Sequence, residues 1–254
     1  MVKTLQQILV QFLLFPHSSF SMIFQINDFL GNKLAETFIF ERLIQLFKQF
    51  RIYYFLCFIA IAVGLIAVAF LKKGEFVLYL NSLHTDSLNE VFIVITKLGE
   101  WIGGILIGAS ILLFAKTKHF VVFLVAVLIS SLSSQLLKRE VYPQEKRPSY
   151  VFEDLKEIEN FKRHIYYTFP SGHTTASFTF YTAFVFAFRR KRIQVLAFTV
   201  ATLVGLSRIY LGQHYLYDVV AGAVLGLIIT SICNYFIVRY LQDKERLNKT
   251  LFPL

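Results

Sequence analysis

Cysteine is almost absent from this chain of 254 residues, which contains only Cys57 and Cys233. Both lie in apolar runs, where a buried thiol is the usual state, so a disulfide framework is not expected. No Cys and His residues stand at the spacing of a zinc site. The sequence also lacks a carboxylate cluster for a metal ion, an internal repeat and a low-complexity segment. Disulfides, bound metals and repeated units are therefore not what organises this chain.

Acidic residues are also scarce, since 16 Asp and Glu stand against 26 Lys and Arg, for a net charge of +10. The charges flank apolar segments instead of forming one basic patch, so nucleic acid is not the expected partner. Apolar residues are abundant: 56% of the chain is hydrophobic, Phe alone occurs 28 times, and the mean hydropathy is +0.59. Soluble domains have an apolar share of about 45–50%. The composition predicts a membrane protein.

Six apolar segments predict six transmembrane helices, at residues 53–71, 99–115, 119–137, 171–188, 193–206 and 219–238. The first is uncharged over its whole length, whereas the second is short unless it borrows from residues 91–98. Residues 75–100 before it predict a loop and a helix at the membrane interface. We therefore expect an all-α polytopic bundle at 51–240, followed by a charged cytoplasmic tail at 241–254.

The first 50 residues are harder to interpret. Residues 5–15 are apolar but too short to span a bilayer, and they lack a clean small-residue cleavage site. Residues 26–50 mix apolar and charged residues at helical spacing, which predicts an interfacial amphipathic helix, so 1–50 is treated as an N-terminal interfacial segment. Met22 is an alternative start to Met1.

The distribution of Lys and Arg predicts the orientation of the chain, because cytoplasmic loops are enriched in these residues. With both termini inside, the inner face carries 15 of the 26 basic residues and 5 of the 16 acids. Four of these basic residues form one short turn, Arg189–Arg192. The polar segments at 138–173 and 207–218 then meet on the outer face. We expect an integral protein of the cell (inner) membrane whose active site faces the periplasm or the exterior.

A Pro-Ser-Gly-His sequence at 170–173 begins the fourth predicted span. Proline suits the first turn of a helix, Ser171 can cap it, and Gly172 lets a ligand approach the backbone. A helix N-terminus of this kind binds anions, and His173 can transfer a proton. The alternative is a capped helix with an interfacial histidine.

The 207–218 segment contains Ser207, Arg208, His214 and Asp218. On a helix, His214 and Asp218 would share one face, where the carboxylate can orient the ring and fix its tautomer. A histidine held in this way is a competent nucleophile, and arginine suits bidentate phosphate binding. The alternative for the pair is a structural hydrogen bond. Together with the 170–173 sequence, the segment points to a phosphate ligand.

These motifs resemble the type 2 phosphatidic acid phosphatase superfamily of integral membrane lipid phosphatases. Its signature is Lys, six residues, Arg-Pro; then Pro-Ser-Gly-His; then Ser-Arg, five residues, His, three residues, Asp. The second and third motifs are intact here, and the resemblance extends over roughly residues 53–239.

The first motif departs from the family pattern. Arg147-Pro148 is present, but Glu140 stands where the pattern expects Lys, and Lys138 and Arg139 come two residues and one residue too early. Either Lys138 reaches the site across a longer loop, with the helix ending near Lys138, or Arg139 substitutes. We favour Lys138. An anchor role at the membrane surface is the alternative for both.

The resemblance implies a two-step phosphate transfer without a metal or another cofactor. His214 would attack phosphorus, oriented by Asp218, and form a phosphohistidine, while His173 would protonate the leaving group and then activate water. The phosphate would be held by a set of cations and a helix N-terminus: Lys138 or Arg139, Arg147, Arg208, Ser171 and Gly172.

The expected activity is metal-independent hydrolysis of a phosphate monoester or pyrophosphate on a membrane lipid. The candidates are polyprenyl pyrophosphate, phosphatidic acid, phosphatidylglycerol phosphate and lipid A phosphates, and the residues do not choose among them. A lipid phosphotransferase, which passes the phosphate to a lipid alcohol, is the alternative. A non-catalytic lipid-phosphate binder is a weaker one, and the oligomeric state is left open.

Overall fold

The computed structural model describes residues 41, 44–156, 158, 164–241, 247 and 249–250. The chain forms two compact units, Met1–Gln49 and Phe50–Leu254. Most of the predicted interfacial segment at 1–50, and most of the tail at 241–254, lies outside the described residues. The helices below belong to the second unit.

The second unit is built from helices: α1 Arg51–Phe70, α2 Glu75–Ser82, α3 Asp86–Lys97, α4 Trp101–Phe114, α5 Thr117–Leu136, α6 Pro148–Val151, α7 Gly172–Phe188, α8 Lys191–Tyr210 and α9 Leu216–Tyr240. Its described residues contain no strand, and one isolated bridge joins Lys116 to Thr250. The all-α prediction is confirmed.

Within the described part of the chain, four helices are long and apolar enough to cross a membrane, namely α1, α8, α9 and α5 extended to Val141. A fifth span arises if α3 and α4 count together, since they bend by 49° at the short break between them. The helix α7, predicted as the fourth span, has 17 residues. At 1.5 Å per residue this is about 25 Å, less than a typical hydrocarbon core of about 30 Å. The chain is an integral membrane protein, and the count of six spans stays a prediction.

The interfacial helix expected within residues 75–100 is in fact two helices, α2 and α3. Thr85 caps α3 by accepting a hydrogen bond from the Leu88 N–H at 3.3 Å, which is the signal that separates the two. If α3 and α4 count as one span, the predicted second span at 99–115 takes in the preceding residues across a bend at Gly99 and Glu100.

The helix α7 is the centre of the bundle and packs against α4, α5, α8 and α9. Eleven of its 17 residues are buried, including several Thr and Ser. Several of these hydroxyls donate to the backbone of the preceding turn, as Thr175 Oγ1 does to the Ser171 carbonyl at 2.9 Å and Thr179 Oγ1 to the Thr175 carbonyl at 2.8 Å. Buried polar groups are tolerated when they are hydrogen-bonded in this way.

The helix α9 approaches α7 closely at two glycines spaced four residues apart. A Cβ on Gly222 would lie 2.7 Å from the Ser171 carbonyl oxygen, and one on Gly226 would lie 2.5 Å from that of Thr175. Small residues at this spacing let membrane helices pack backbone against backbone. The contact also sets the site, because the Ser171 N–H donates to the Asp218 carbonyl at 3.0 Å.

Candidate active site

A cavity of about 550 Å³ lies at the N-terminal end of α7. Its lining brings together residues from all three sequence motifs: Gln135, Lys138, Arg139, Arg147, Tyr167, Gly172, His173 and His214. Three of the side chains are cationic and two are histidines. The cavity is therefore suited to an anion that also accepts or exchanges a proton.

His214 lies in the short connection between α8 and α9, with only 1% of its surface exposed. The expectation that His214 and Asp218 share a helix is wrong, since α9 begins at Leu216 and only Asp218 lies in it. The two side chains nevertheless meet, with 3.5 Å between His214 Nδ1 and Asp218 Oδ2. Burial, together with the charges of Arg147 and Lys138, holds the pKa of His214 well below its ordinary value. This histidine is neutral at neutral pH.

Thr168 lies between the histidine and the carboxylate, and it is fully buried. Its hydroxyl donates to Asp218 Oδ2, and its oxygen lies 3.2 Å from His214 Nδ1. The Tyr215 N–H donates to the same carboxylate oxygen at 2.8 Å. Because the Thr168 proton is directed to Asp218, its oxygen accepts from His214 Nδ1–H. This arrangement leaves Nε2 of His214 with a free lone pair.

Lys138 and Arg139 both line the cavity but differ in burial. Lys138 is 7% exposed, and its Nζ donates to the Tyr167 carbonyl at 2.8 Å. A Cβ on Gly172 would lie 3.7 Å from Lys138 Cε, which places the lysine against the start of α7. Arg139 is exposed. The geometry favours Lys138 as the cation of the first motif.

The α-helical part of α5 ends at Leu136, close to the expected end near Lys138, and is followed directly by a π-helical turn over Leu137–Val141. The Tyr142 N–H closes this turn by donating to the Leu137 carbonyl at 2.9 Å. A π turn holds more residues than an α turn, and such turns are frequent at functional sites. Lys138 and Arg147 are two residues further apart in the sequence than the family pattern expects. The π turn therefore accommodates part of this longer spacing, and the loop that follows accommodates the rest.

Arg147 and Arg208, the two arginines of the motifs, are each held by hydrogen bonds to different partners. The Arg147 side chain donates to the Tyr166 carbonyl at 3.1 Å and to Gln213 Oε1 at 3.0 Å. Arg208 lies in the last turn of α8, beyond the predicted end of the fifth span at residue 206, and is 4% exposed. One of its nitrogens donates to Thr96 Oγ1 at 2.8 Å, while its buried Nε has no hydrogen-bond partner among the residues that the structure describes. A buried donor without a partner is costly, and a bound phosphate oxygen would satisfy it.

Ser171 and Gly172 differ in their relation to the cavity. Ser171 is fully buried and caps α7, with its Oγ accepting from the Thr174 hydroxyl at 2.9 Å and, more weakly, from the Thr174 N–H at 3.4 Å. Gly172 lines the cavity and Ser171 does not. The geometry therefore favours Gly172 over the Ser171 hydroxyl as a direct phosphate contact.

His173 also lines the cavity, and its Nε2 lies 2.9 Å from Glu100 Oε1. Each of the two histidines thus has a carboxylate beside it. Asp218 of α9 lies beside His214, and Glu100, at the bend before α4, lies beside His173. Glu100, Thr96 and Thr168 were not predicted from the sequence as residues of the site. Thr168 stands two residues before Pro170, and its polarity inside an aromatic stretch was the available signal; nothing in the sequence connects Glu100 or Thr96 with the motifs.

Metal ligands are not grouped in the described part of the chain, where no cluster of three or more His, Cys, Asp or Glu side chains is found. The expectation of a metal-independent reaction rests on the cations of the cavity and stays a prediction.

Comparison with known proteins gives two results that bear on the family. The model of the PAP2 superfamily matches residues 119–241. A lipid A 4′-phosphatase of Porphyromonas gingivalis is 30% identical over 179 residues, which cover 66% of this chain and 73% of that protein. The chain belongs to the PAP2 superfamily. The predicted resemblance to this superfamily is thereby confirmed.

Other PAP2 proteins extend the comparison to a second lipid and to a solved structure. Phosphatidylglycerophosphatase B of Bacillus subtilis is 29% identical over 170 residues, covering 62% of this chain and 76% of that protein. The crystal structure of a transmembrane PAP2-type phosphatidylglycerolphosphate phosphatase from Bacillus subtilis superposes with a TM-score of 0.53 at 25% identity, covering 78% of this chain and 96% of that one. The helical bundle is therefore the PAP2 fold.

Proposed function

We propose that this PAP2 protein hydrolyses a phosphate monoester or pyrophosphate on a membrane lipid, with His214 as the nucleophile. The predicted enzyme class, a lipid phosphatase, is confirmed by the named activities of the relatives. The single observation that carries the mechanism is the state of His214. It is neutral, its Nδ1 is engaged by Thr168, and it borders a cation-lined cavity that also contains His173.

In the first step of the proposed reaction, Nε2 of His214 attacks phosphorus while the bond to the lipid oxygen breaks. His173 gives its proton to that oxygen, and the phosphoryl group stays on His214. In the second step His173 takes a proton from water, whose oxygen attacks phosphorus and frees His214. Asp218 and Thr168 stabilise the charge that His214 develops during the attack.

The cations of the cavity supply the electrostatic stabilisation. Lys138 and Arg147 line the cavity, whereas Arg208 is not in its lining but acts through its charge on both histidines. Together the three would neutralise the phosphate oxygens as charge spreads over them in the transition state. The N–H groups at the start of α7, beginning with Gly172, add a favourable dipole. Since this is the work a divalent ion does in many phosphoryl transfers, we expect phosphate release to persist in excess EDTA. A strict requirement for a metal would contradict this assignment.

We propose that the chain crosses the membrane six times, with the active site outside and both termini in the cytoplasm. The support is the separation of charges along the bundle. Arg189 lies close enough to Lys118 for their charges to interact, so two basic turns gather at the end of α7 opposite the cavity. A membrane-impermeant thiol reagent should fail to label a single cysteine placed at position 190 in intact cells, and labelling there would overturn the orientation.

The proposed substrate is amphiphilic because an apolar groove adjoins the cavity. The groove has a volume of about 420 Å³ and runs between α1 and α9. Its lining includes Leu137, Pro170 and Tyr217, each of which directly precedes a residue of the three motifs. A phosphate in the cavity can therefore be joined to a hydrocarbon chain in the groove.

The decisive experiment uses the purified protein in detergent with EDTA and a panel of lipid phosphates and pyrophosphates. We expect release of inorganic phosphate from at least one lipid and none from the same lipid with His214→Ala. An acid-labile phosphoryl group should be trapped on the wild-type protein only. Retention of the wild-type rate by His214→Ala would overturn the nucleophile, and phosphorylated acceptor lipid in the mass spectrum would indicate the phosphotransferase instead.

A further inference from the structure

Glu100, which belongs to none of the three motifs, lies at the bend between α3 and α4. It occupies the N-cap position of α4, yet its side chain makes no capping hydrogen bond. Its carboxylate instead reaches across to α7 and lies 2.9 Å from His173 Nε2. The Glu100 and His173 side chains are 34% and 30% exposed, and both line a pocket of about 280 Å³ that shares Gly172 and His173 with the active-site cavity.

The bend is fitted closely to the active site. A Cβ on the neighbouring Gly99 would lie 2.9 Å from the His173 carbonyl oxygen and 2.5 Å from Val204 Cγ1, so only glycine allows this approach. Thr96, in the last turn of α3, accepts the hydrogen bond from Arg208. The same bend thus contacts two motif residues, and the position of Glu100 is fixed by packing on both sides.

Burial, first, and then the charges around His173 oppose its protonated form. Arg208, Arg147, Lys138 and His164 all lie within electrostatic range of the ring. In the proposed reaction His173 must nevertheless hold a proton when the lipid oxygen leaves. Glu100 is the carboxylate in direct contact with this ring, and an opposite charge at hydrogen-bond distance favours the imidazolium.

We propose that Glu100 is the positioning residue that holds the proton on His173 for departure of the leaving group. This inference rests on the proposed function. Glu100 accepts the hydrogen bond from Nε2–H and so fixes which nitrogen carries that proton. The other nitrogen, Nδ1, gives its proton to the lipid oxygen as the P–O bond breaks and takes one from water as the phosphohistidine is hydrolysed. Glu100 keeps the Nε2 proton in place through both steps.

The test compares Glu100→Gln with the wild type on two substrates whose leaving groups differ. Glutamine keeps an acceptor for Nε2–H but removes the charge. An alkyl phosphate needs a proton on its leaving oxygen, whereas p-nitrophenyl phosphate does not. General acid catalysis contributes about 10²–10⁴-fold. We therefore expect at least a roughly tenfold loss of kcat on the lipid phosphate, and less than about a threefold loss in the burst of nitrophenol.

Three further measurements separate this role from a structural one. The alkaline limb of the kcat–pH profile should move to lower pH in Glu100→Gln, since the imidazolium loses its counter-charge. Glu100→Asp should restore part of the rate on the lipid phosphate. Glu90→Gln, which removes an exposed acid from α3, is the matched control and should keep the wild-type rate and profile. In a ¹⁵N-histidine pH titration, the imidazolium of His173 should be less populated in Glu100→Gln than in the wild type at the same pH. Once the wild-type ring is neutral, the spectrum should show its Nε2–H tautomer.

The outcomes that would overturn the proposal are distinct from failure of the proposed function. An active wild type with an unaffected Glu100→Gln variant refutes the role of Glu100 alone. Equal losses on both substrates would indicate a packing role and also refute it. A wild type that releases no phosphate from any lipid refutes the proposed function, and the ¹⁵N spectrum still decides whether Glu100 controls the proton on His173.

Discussion

The Thr168 hydroxyl offers the sharpest test of how His214 is prepared for attack. Valine has nearly the same shape but no hydroxyl, so Thr168→Val removes the link between Asp218 and His214 and keeps the packing. The carboxylate would retain the bond from the Tyr215 N–H, while His214 Nδ1–H would be left 3.5 Å from Asp218 Oδ2 without a good acceptor.

The size of the effect follows from the bonds lost. Hydrogen bonds to charged groups contribute about 1.5–3 kcal/mol, and a buried donor left without an acceptor costs about 1–3 kcal/mol. Both matter most in the transition state, when His214 becomes positively charged. A loss of about 2–4 kcal/mol in transition-state stabilisation corresponds to a fall of roughly 30- to 1,000-fold in kcat/KM.

The assay is phosphate release from the best lipid substrate in detergent, with thermal unfolding measured on the same samples. Thr168→Ser, which keeps the hydroxyl, is the matched control and should retain most of the activity. If Thr168→Val is folded and keeps more than about half of the wild-type kcat/KM, the hydroxyl does not link His214 to Asp218 and the reasoning is refuted.

Three other predictions follow from the site and its packing. Lys138→Ala should lower kcat/KM by at least about 100-fold, because a buried cation is lost, whereas Arg139→Ala should lower it only severalfold; equal effects would contradict the choice of Lys138. The folded-state pKa of His214 lies below the ordinary value of about 6.5, so the unfolded chain binds more protons and stability should fall as the pH drops below about 6.5. The thermal midpoint of the wild type should therefore decline relative to His214→Gln over that range, and parallel curves would contradict the burial of a neutral ring. Gly226→Val should destabilise the bundle by about 1–3 kcal/mol, since its side chain would meet the Thr175 carbonyl, and an unchanged thermal midpoint would refute the close contact.

The sequence predicted local features well, where the residue types of a single segment decide its structure. The Pro170–His173 stretch was expected to begin a helix and does so, because capping is a local property of Ser171. The spans at 53–71 and 219–238 match α1 and α9 within a few residues, since a long uncharged run has few other ways to fold.

The sequence was uninformative where distant segments meet. Glu100 and His173 are 73 residues apart in the sequence, and their contact depends on the bend between α3 and α4, which was not predicted from the residue types there. The separation of α2 from α3 at Thr85 is local and could have been found. The pairing of His214 with Asp218 was expected for the wrong reason, because a helix was assumed where a short connection places His214 before α9.

The π turn at Leu137–Val141 has a consequence for how relatives of this protein are recognised. A search that demands six residues between the lysine and Arg147 would reject this chain, although Lys138 lies against the start of α7. An inserted residue that widens one helical turn changes the spacing in the sequence much more than the position of the side chain in space. Diverged members of the superfamily are therefore better sought by allowing a variable gap at this turn, while keeping the other two motifs at fixed length.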